Sequence, residues 1–108
     1  MPLNREQILG VNDTKIVKVP VPEWDGDVYV RSLKAGQRDE LVGLDRKQLF
    51  TRLLVLTMVD ETGASLGFTE EDIPTLESKN LSAIVRIFKE ALSINGMTVE
   101  AVETARGN

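Results

Sequence analysis

Apolar positions crowd most densely at residues 49–59, where Leu49-Phe50-Thr51-Arg52-Leu53-Leu54-Val55-Leu56-Thr57-Met58-Val59 carries a single charge, Arg52. The rest of the chain must be arranged to cover this run. Asp45 with Gln48 three residues on forms a capping box, and a helix over 46–59 would be about 14 residues long, nearer a helix than a strand of ~4 to 8. The spacing therefore predicts a helix. A buried strand over 53–59, turned by Asp60-Glu61-Thr62-Gly63, stays open beside it, because Val and Thr favour strands. Wound at 100° per residue, Leu49, Leu53, Leu56 and Val59 share one broad side, with Phe50, Leu54 and Met58 opposite. A helix apolar on both sides needs neighbours on both.

Upstream, Asn4 and Gln7 form another capping box over a short helix that ends at Gly10, with Leu3 placed to staple onto Ile8. Strict alternation then marks a hairpin over 14–33, Val17, Val19 and Val21 being answered by Val28-Tyr29-Val30-Arg31. Proline has no N–H to give a ladder, so Pro20 and Pro22 predict a three-residue loop, Trp24-Asp25-Gly26. That loop closes on Glu23 and Asp27, with Gly26 left-handed, the proline nitrogens turned outward and the first strand on a sheet edge. Residues 37–44 read as a helix carrying Leu41 and Leu44, bent or ended at Gly43. Thr69-Glu70-Glu71-Asp72 opens one or two short turns, because Pro74 lies too deep for a rod.

Asn80 caps the most regular helix, over 81–94, where Leu81, Ile84, Val85, Phe88 and Leu92 recur at spacings of three and four around a centre at Phe88. Gly96 is expected left-handed beyond its end, and Thr98 caps a weak last helix over 99–104. These elements predict an α+β fold: one domain over 1–108, in two layers, with the hairpin 14–33 packed on a mainly helical part, 37–104.

Composition removes most chemistries. The 108 residues carry a net charge of −4 at a pI near 4.8, which offers phosphate backbones no attracting field, so nucleic acid is not an expected partner. There is no His and no Cys, which removes the commonest general base, thiolate metal ligands and disulfides together. The acids at Glu70-Glu71-Asp72 and Asp25-Gly26-Asp27 sit where helix starts and turns want them, at the wrong spacing for a calcium loop. Gly63 and Gly67 lack the Lys-Ser/Thr of a phosphate loop. No catalytic residue, cofactor or metal is therefore expected. No apolar segment reaches the ~18 to 20 residues of a membrane span and the start is unlike a signal peptide, which makes the cytoplasm the expected compartment. Trp24, at the hairpin tip, either folds back on the hairpin or anchors a partner. Tyr29, Leu41, Val99 and Val102 are the other candidate contacts, since the hairpin and the 81–94 stripe cannot cover every side of the central run.

The ordered set of segments resembles the tail assembly chaperones of long-tailed, siphovirus-type bacteriophages and prophages. Its first half is Arg5-Glu6-Gln7-Ile8-Leu9, then Val19-Pro20-Val21-Pro22-Glu23-Trp24, then Val28-Tyr29-Val30-Arg31, then Arg38-Asp39. Arg52-Leu53-Leu54-Val55-Leu56, Val59-Asp60-Glu61-Thr62-Gly63, Phe68-Thr69-Glu70-Glu71-Asp72-Ile73 and Leu92-Ser93-Ile94-Asn95-Gly96-Met97 follow. Gly67, an extra residue between Leu66 and Phe68, departs from the pattern. The resemblance implies a non-enzymatic protein of the host cytoplasm, absent from the mature virion. Its partners would be the tape measure protein, kept soluble while tail tube subunits polymerise, those subunits themselves, and further copies of the chain. A structural tail or head-to-tail component retained in the virion is the alternative, and a small hydrolase a weaker one.

Overall fold

The hairpin forms where the valines alternate, but in a register other than the expected one. In the computed structural model, which describes residues 1–97, β1 (Ile16–Val21) pairs antiparallel with β2 (Gly26–Arg31), setting Val21 opposite Gly26, Val19 opposite Val28 and Val17 opposite Val30. The connection is the 3₁₀ turn Pro22–Trp24, closed by Asp25, whose N–H donates to the Pro22 carbonyl at 3.0 Å. Asp25 takes the left-handed conformation, at φ 54°, in place of Gly26. Glu23 and Asp27 therefore do not close the loop. The reason lies in Pro22: its fixed φ suits the first position of a helical turn, so it leaves the ladder altogether, while Asp tolerates the left-handed position. Pro20 does obey the donor argument. The Ser32 N–H donates to the Lys15 carbonyl at 2.9 Å, and alternation from that bonded pair puts Pro20 and Asp27 at a non-bonded position with the proline nitrogen outward. β1 is an edge strand of a three-stranded sheet ordered β1-β2-β3.

The central run divides itself between the two readings its sequence allows. Asp45 and Gln48 form both halves of the capping box, at 2.8 and 3.2 Å, and α2 (Arg46–Thr57) follows. Met58 and Val59 then leave the helix as β3 and pair with Val30 and Tyr29. The turn after them is built by Asp60, whose carboxylate accepts the backbone N–H groups of Thr62 and Ala64, with Gly63 left-handed at φ 91°. The Thr62 hydroxyl first, then these amides, hold the Asp60 carboxyl below its ordinary pKa. The expected helix over 37–44 is replaced by a 3₁₀ segment, Ala35–Glu40. Gly43, left-handed at φ 82°, stops it from continuing.

Thr69 opens a 3₁₀ turn, Glu70–Asp72, that runs into α3 (Ile73–Glu77), a single short helix with Pro74 in its first turn. Asn80 caps α4 (Leu81–Ile94) by accepting the Ala83 N–H at 3.1 Å. Gly96, at φ 66°, ends it, while the Met97 N–H returns to the Leu92 carbonyl. The buried face of α4 is Ala83, Ile84, Ile87, Ala91 and Leu92. Its centre is thus Ile87, not Phe88, which is half-buried, and Leu81 at the stripe's end is 73% exposed. The small side chains Ala83 and Ala91 rotate the contact face, because they let the backbone approach the core closely where a larger residue would hold it off.

Two apolar clusters result. The larger joins Val19, Val21 and Val30 of the sheet to Leu54, Val55 and Met58, and to Leu76, Ile84 and Ile87. The smaller joins Leu53 to Ala91 and Leu92, with Leu33, Leu41 and Met97 against it. Successive residues Leu53 and Leu54 thus feed different clusters, which is why the run is apolar all round. Phe50 and Phe88 bring their rings to 4.4 Å between centroids at 40°. A double-mutant cycle with Phe50→Leu and Phe88→Leu is expected to give a coupling of about 0.5 to 1.5 kcal/mol. Purely additive losses would show that the rings merely share a surface.

Candidate partner-binding surfaces

Two apolar depressions flank the first half of α2, one beside Asp45 and Leu49 and the other beside Lys47 and Phe50. The first is a groove of about 630 Å³ lined by Leu33, Leu41, Val42, Leu44, Leu49 and Met97, with Lys34, Arg38 and Asp45 at its edge. Its geometry follows from local rules. Leu33, two residues beyond β2, is pinned when its N–H donates to the Asn95 side chain at 2.7 Å, while the Asn95 amide donates in turn to the Ala91 carbonyl. The left-handed Gly43 reverses the chain between Leu41 and Asp45, which leaves Val42 64% exposed on the wall.

The second lies around α3. One hollow, of about 340 Å³, is lined by Trp24, Phe68, Leu76 and Lys79 among others, and a neighbouring one, of about 510 Å³, by Phe50, Leu76, Leu81 and Ile84. Both include Leu76 and Lys79. They therefore form one apolar path from the hairpin tip across α3 to the start of α4, with a border of both signs: Arg46, Lys47 and Lys79 against Asp72 and Glu77, of which Lys47 and Glu77 pair at 3.8 Å. A path of this kind suits an apolar helix face.

The candidate residues do not converge. Trp24 folds back against the larger cluster and also lines the second surface. Leu41 lies in the first groove. Tyr29, half-buried, sits on the sheet face away from the valines, between Lys18 and Val59. Val99 and Val102, with the helix expected over 99–104, lie outside the described residues. Sequence reasoning missed Val42 and Leu81 as exposed positions. Val42 carried a signal, since an apolar residue beside Gly43 has no helix to share, while Leu81 fits the stripe and carried none.

Charges fasten the hairpin tip to α4. Arg86 gives Glu23 two hydrogen bonds, at 2.7 and 2.9 Å, and this pairing first of all lowers the Glu23 carboxyl from 4.5 to about 2. Arg52, the lone charge of the apolar run, pairs with Glu70. A carboxyl whose folded pKa is depressed stabilises the fold above its unfolded pKa and loses that contribution as pH falls through the folded value. The advantage of the native chain over Glu23→Gln is thus expected to shrink from pH 4.5 downwards and to vanish near pH 2. A carboxyl titration followed by NMR checks the cause: Arg86→Met should return the Glu23 midpoint to near 4.5.

Among the described residues, no group of three or more acids is placed to hold a metal ion, and no helix is long and apolar enough to cross a membrane. No family model matches the sequence, and no curated protein matches it. A solved structure does match: the tail assembly chaperone of bacteriophage HK97, at a TM-score of 0.60 over 86% of this chain and 94% of that one, with 16% identity. The chain shares that protein's fold along nearly its whole length.

Proposed function

We propose that this chain is a non-enzymatic phage tail assembly chaperone that binds the tape measure protein and keeps it soluble while tail tube subunits assemble around it. The observation that carries the reading is the match of fold to the HK97 tail assembly chaperone, which spans nearly all of both chains. Surplus apolar surface supports it. Leu81 at 73% exposure and half-buried Trp24 sit on one apolar path, where the apolar face of a tape measure helix would bind and be hidden from other helices. Many copies are needed to cover a long partner, so the working form is a homo-oligomer, acting in the host cytoplasm and leaving before the virion is complete.

Co-expression with a tape measure fragment tests this. The fragment should move from the insoluble to the soluble fraction and co-purify with the chain. A strict monomer that leaves the fragment insoluble would remove both the chaperone and the oligomer. Mass spectrometry of purified particles tests the departure, since a stoichiometric amount in the virion would favour a structural component.

A further inference from the structure

We infer that the N-terminal arm, residues 1–11 with α1 (Arg5–Gly10), docks into the Leu41–Val42 groove of a second copy. This rests on the reading of the chain as self-associating and names the surfaces that meet. Nine large apolar residues are exposed among those described, and five of them, Met1, Leu3, Ile8, Leu9 and Val11, fall in the first eleven residues. That concentration is not an accident of a scattered surface, in which single exposed apolar residues are ordinary. α1 carries a complete capping box, with Asn4 and Gln7 bonded at 2.8 and 3.0 Å, yet buries no residue. A helix of six residues has too few hydrogen bonds to offset its nucleation cost in water, so it needs a surface to lie on.

The groove is the surface of matching character. Its wall residue Val42 is 64% exposed, half-buried Leu41 and Leu44 flank it, and buried Leu49 completes the apolar lining. The arm is rooted beside it. The Lys15 N–H donates to the Ser32 hydroxyl at 3.0 Å, next to Leu33 of the groove lining. Despite that proximity, the arm does not fold over its own groove. It stands off the body, every residue from 1 to 16 being exposed. A single chain thus leaves two apolar surfaces open, and a second copy closes both. The charges allow it, because Arg5 and Glu6 of the arm meet a groove edge that offers both signs, Lys34 and Arg38 against Asp45. One arm in one groove falls short of the ~1,200 Å² of the smaller stable interfaces, so each copy both gives an arm and receives one.

The absence of cysteine makes the test clean. Ile8→Cys and Val42→Cys are prepared separately, mixed and mildly oxidised. The mixed disulfide is expected to form about tenfold or more in excess over Ile8→Cys mixed with Leu66→Cys, whose cysteine lies on a different exposed loop. Equal yields would overturn the proposal. So would a double variant, Ile8→Cys with Val42→Cys, that closes within one chain at high dilution, since the arm would then cover its own groove. Light scattering separates this failure from failure of the broader reading. Removal of residues 1–11 should reduce the assembled mass to that of the monomer. An oligomer that persists without the arm keeps self-association and overturns the arm, whereas a native chain that is monomeric at every concentration removes both.

Discussion

Leu53→Ala is expected to cost about 3 to 5 kcal/mol, while Leu81→Ala changes stability by less than about 0.5 kcal/mol. Both residues are helical leucines on elements that pack together, so composition and propensity cannot separate them. Burial does. Leu53 is fully enclosed, held against Ala91 and Leu92 of α4, whereas Leu81 is 73% exposed at the first turn of that helix. Truncating Leu53 removes its transfer energy and leaves a cavity that Ala91, with nothing but a methyl group, cannot fill. Against a total stability of about 5 to 15 kcal/mol, the loss would lower the melting temperature by well over 10 °C. Thermal melts of the two variants against the native chain decide it. Equal losses would mean that the face of α4 is rotated from the one described.

The elements were legible where one residue satisfies a backbone need that no tertiary contact can override. Asn4, Asp45 and Asn80 each cap the helix expected of them, because the side-chain oxygen answers donors that every helix start leaves open. The left-handed Gly63 and Gly96 were readable because glycine takes that conformation at no steric cost, whereas Gly43 announced only a bend or an end. Register was not. It depends on whether Pro22 belongs to a strand or to the turn after it, and the alternation of Val17, Val19 and Val21 is the same in both cases. The end of α2 was likewise ambiguous, since residues 53–59 satisfy both periods. The edge of β2 decides it, by offering Met58 and Val59 a ladder.

Of the binding surfaces, the sequence named one residue on each, Trp24 and Leu41, without the elements that gather around them. The path past Trp24 depends on α3 lying between the hairpin tip and α4. The groove at Leu41 depends on Gly43 turning the chain back. Both are juxtapositions of segments far apart in sequence, which periodicity does not encode. The fold match closes part of that gap, for it covers 86% of this chain and so gives the overall arrangement a solved counterpart.

If the chain binds a tape measure protein as proposed, Leu81→Glu is expected to weaken that binding at least about 30-fold, the equivalent of a ~2 kcal/mol hot spot, with the fold intact. The argument begins from the same exposure that makes Leu81→Ala harmless. An apolar side chain 73% open to water gains little for the isolated domain, and its burial becomes favourable only when a partner covers it. Beside it lie Phe50, Leu76 and Ile84, with Lys79 and the Lys47–Glu77 pair at the border. A carboxylate at that point would have to shed its water against an apolar helix face. Leu66→Glu, at a residue 49% exposed on another loop, adds the same charge to the protein and serves as the comparison. Titration of each variant with a tape measure fragment, after matching melting curves, gives the result. If both substitutions weaken binding equally, net charge is responsible, and the path across α3 is not where the partner lies.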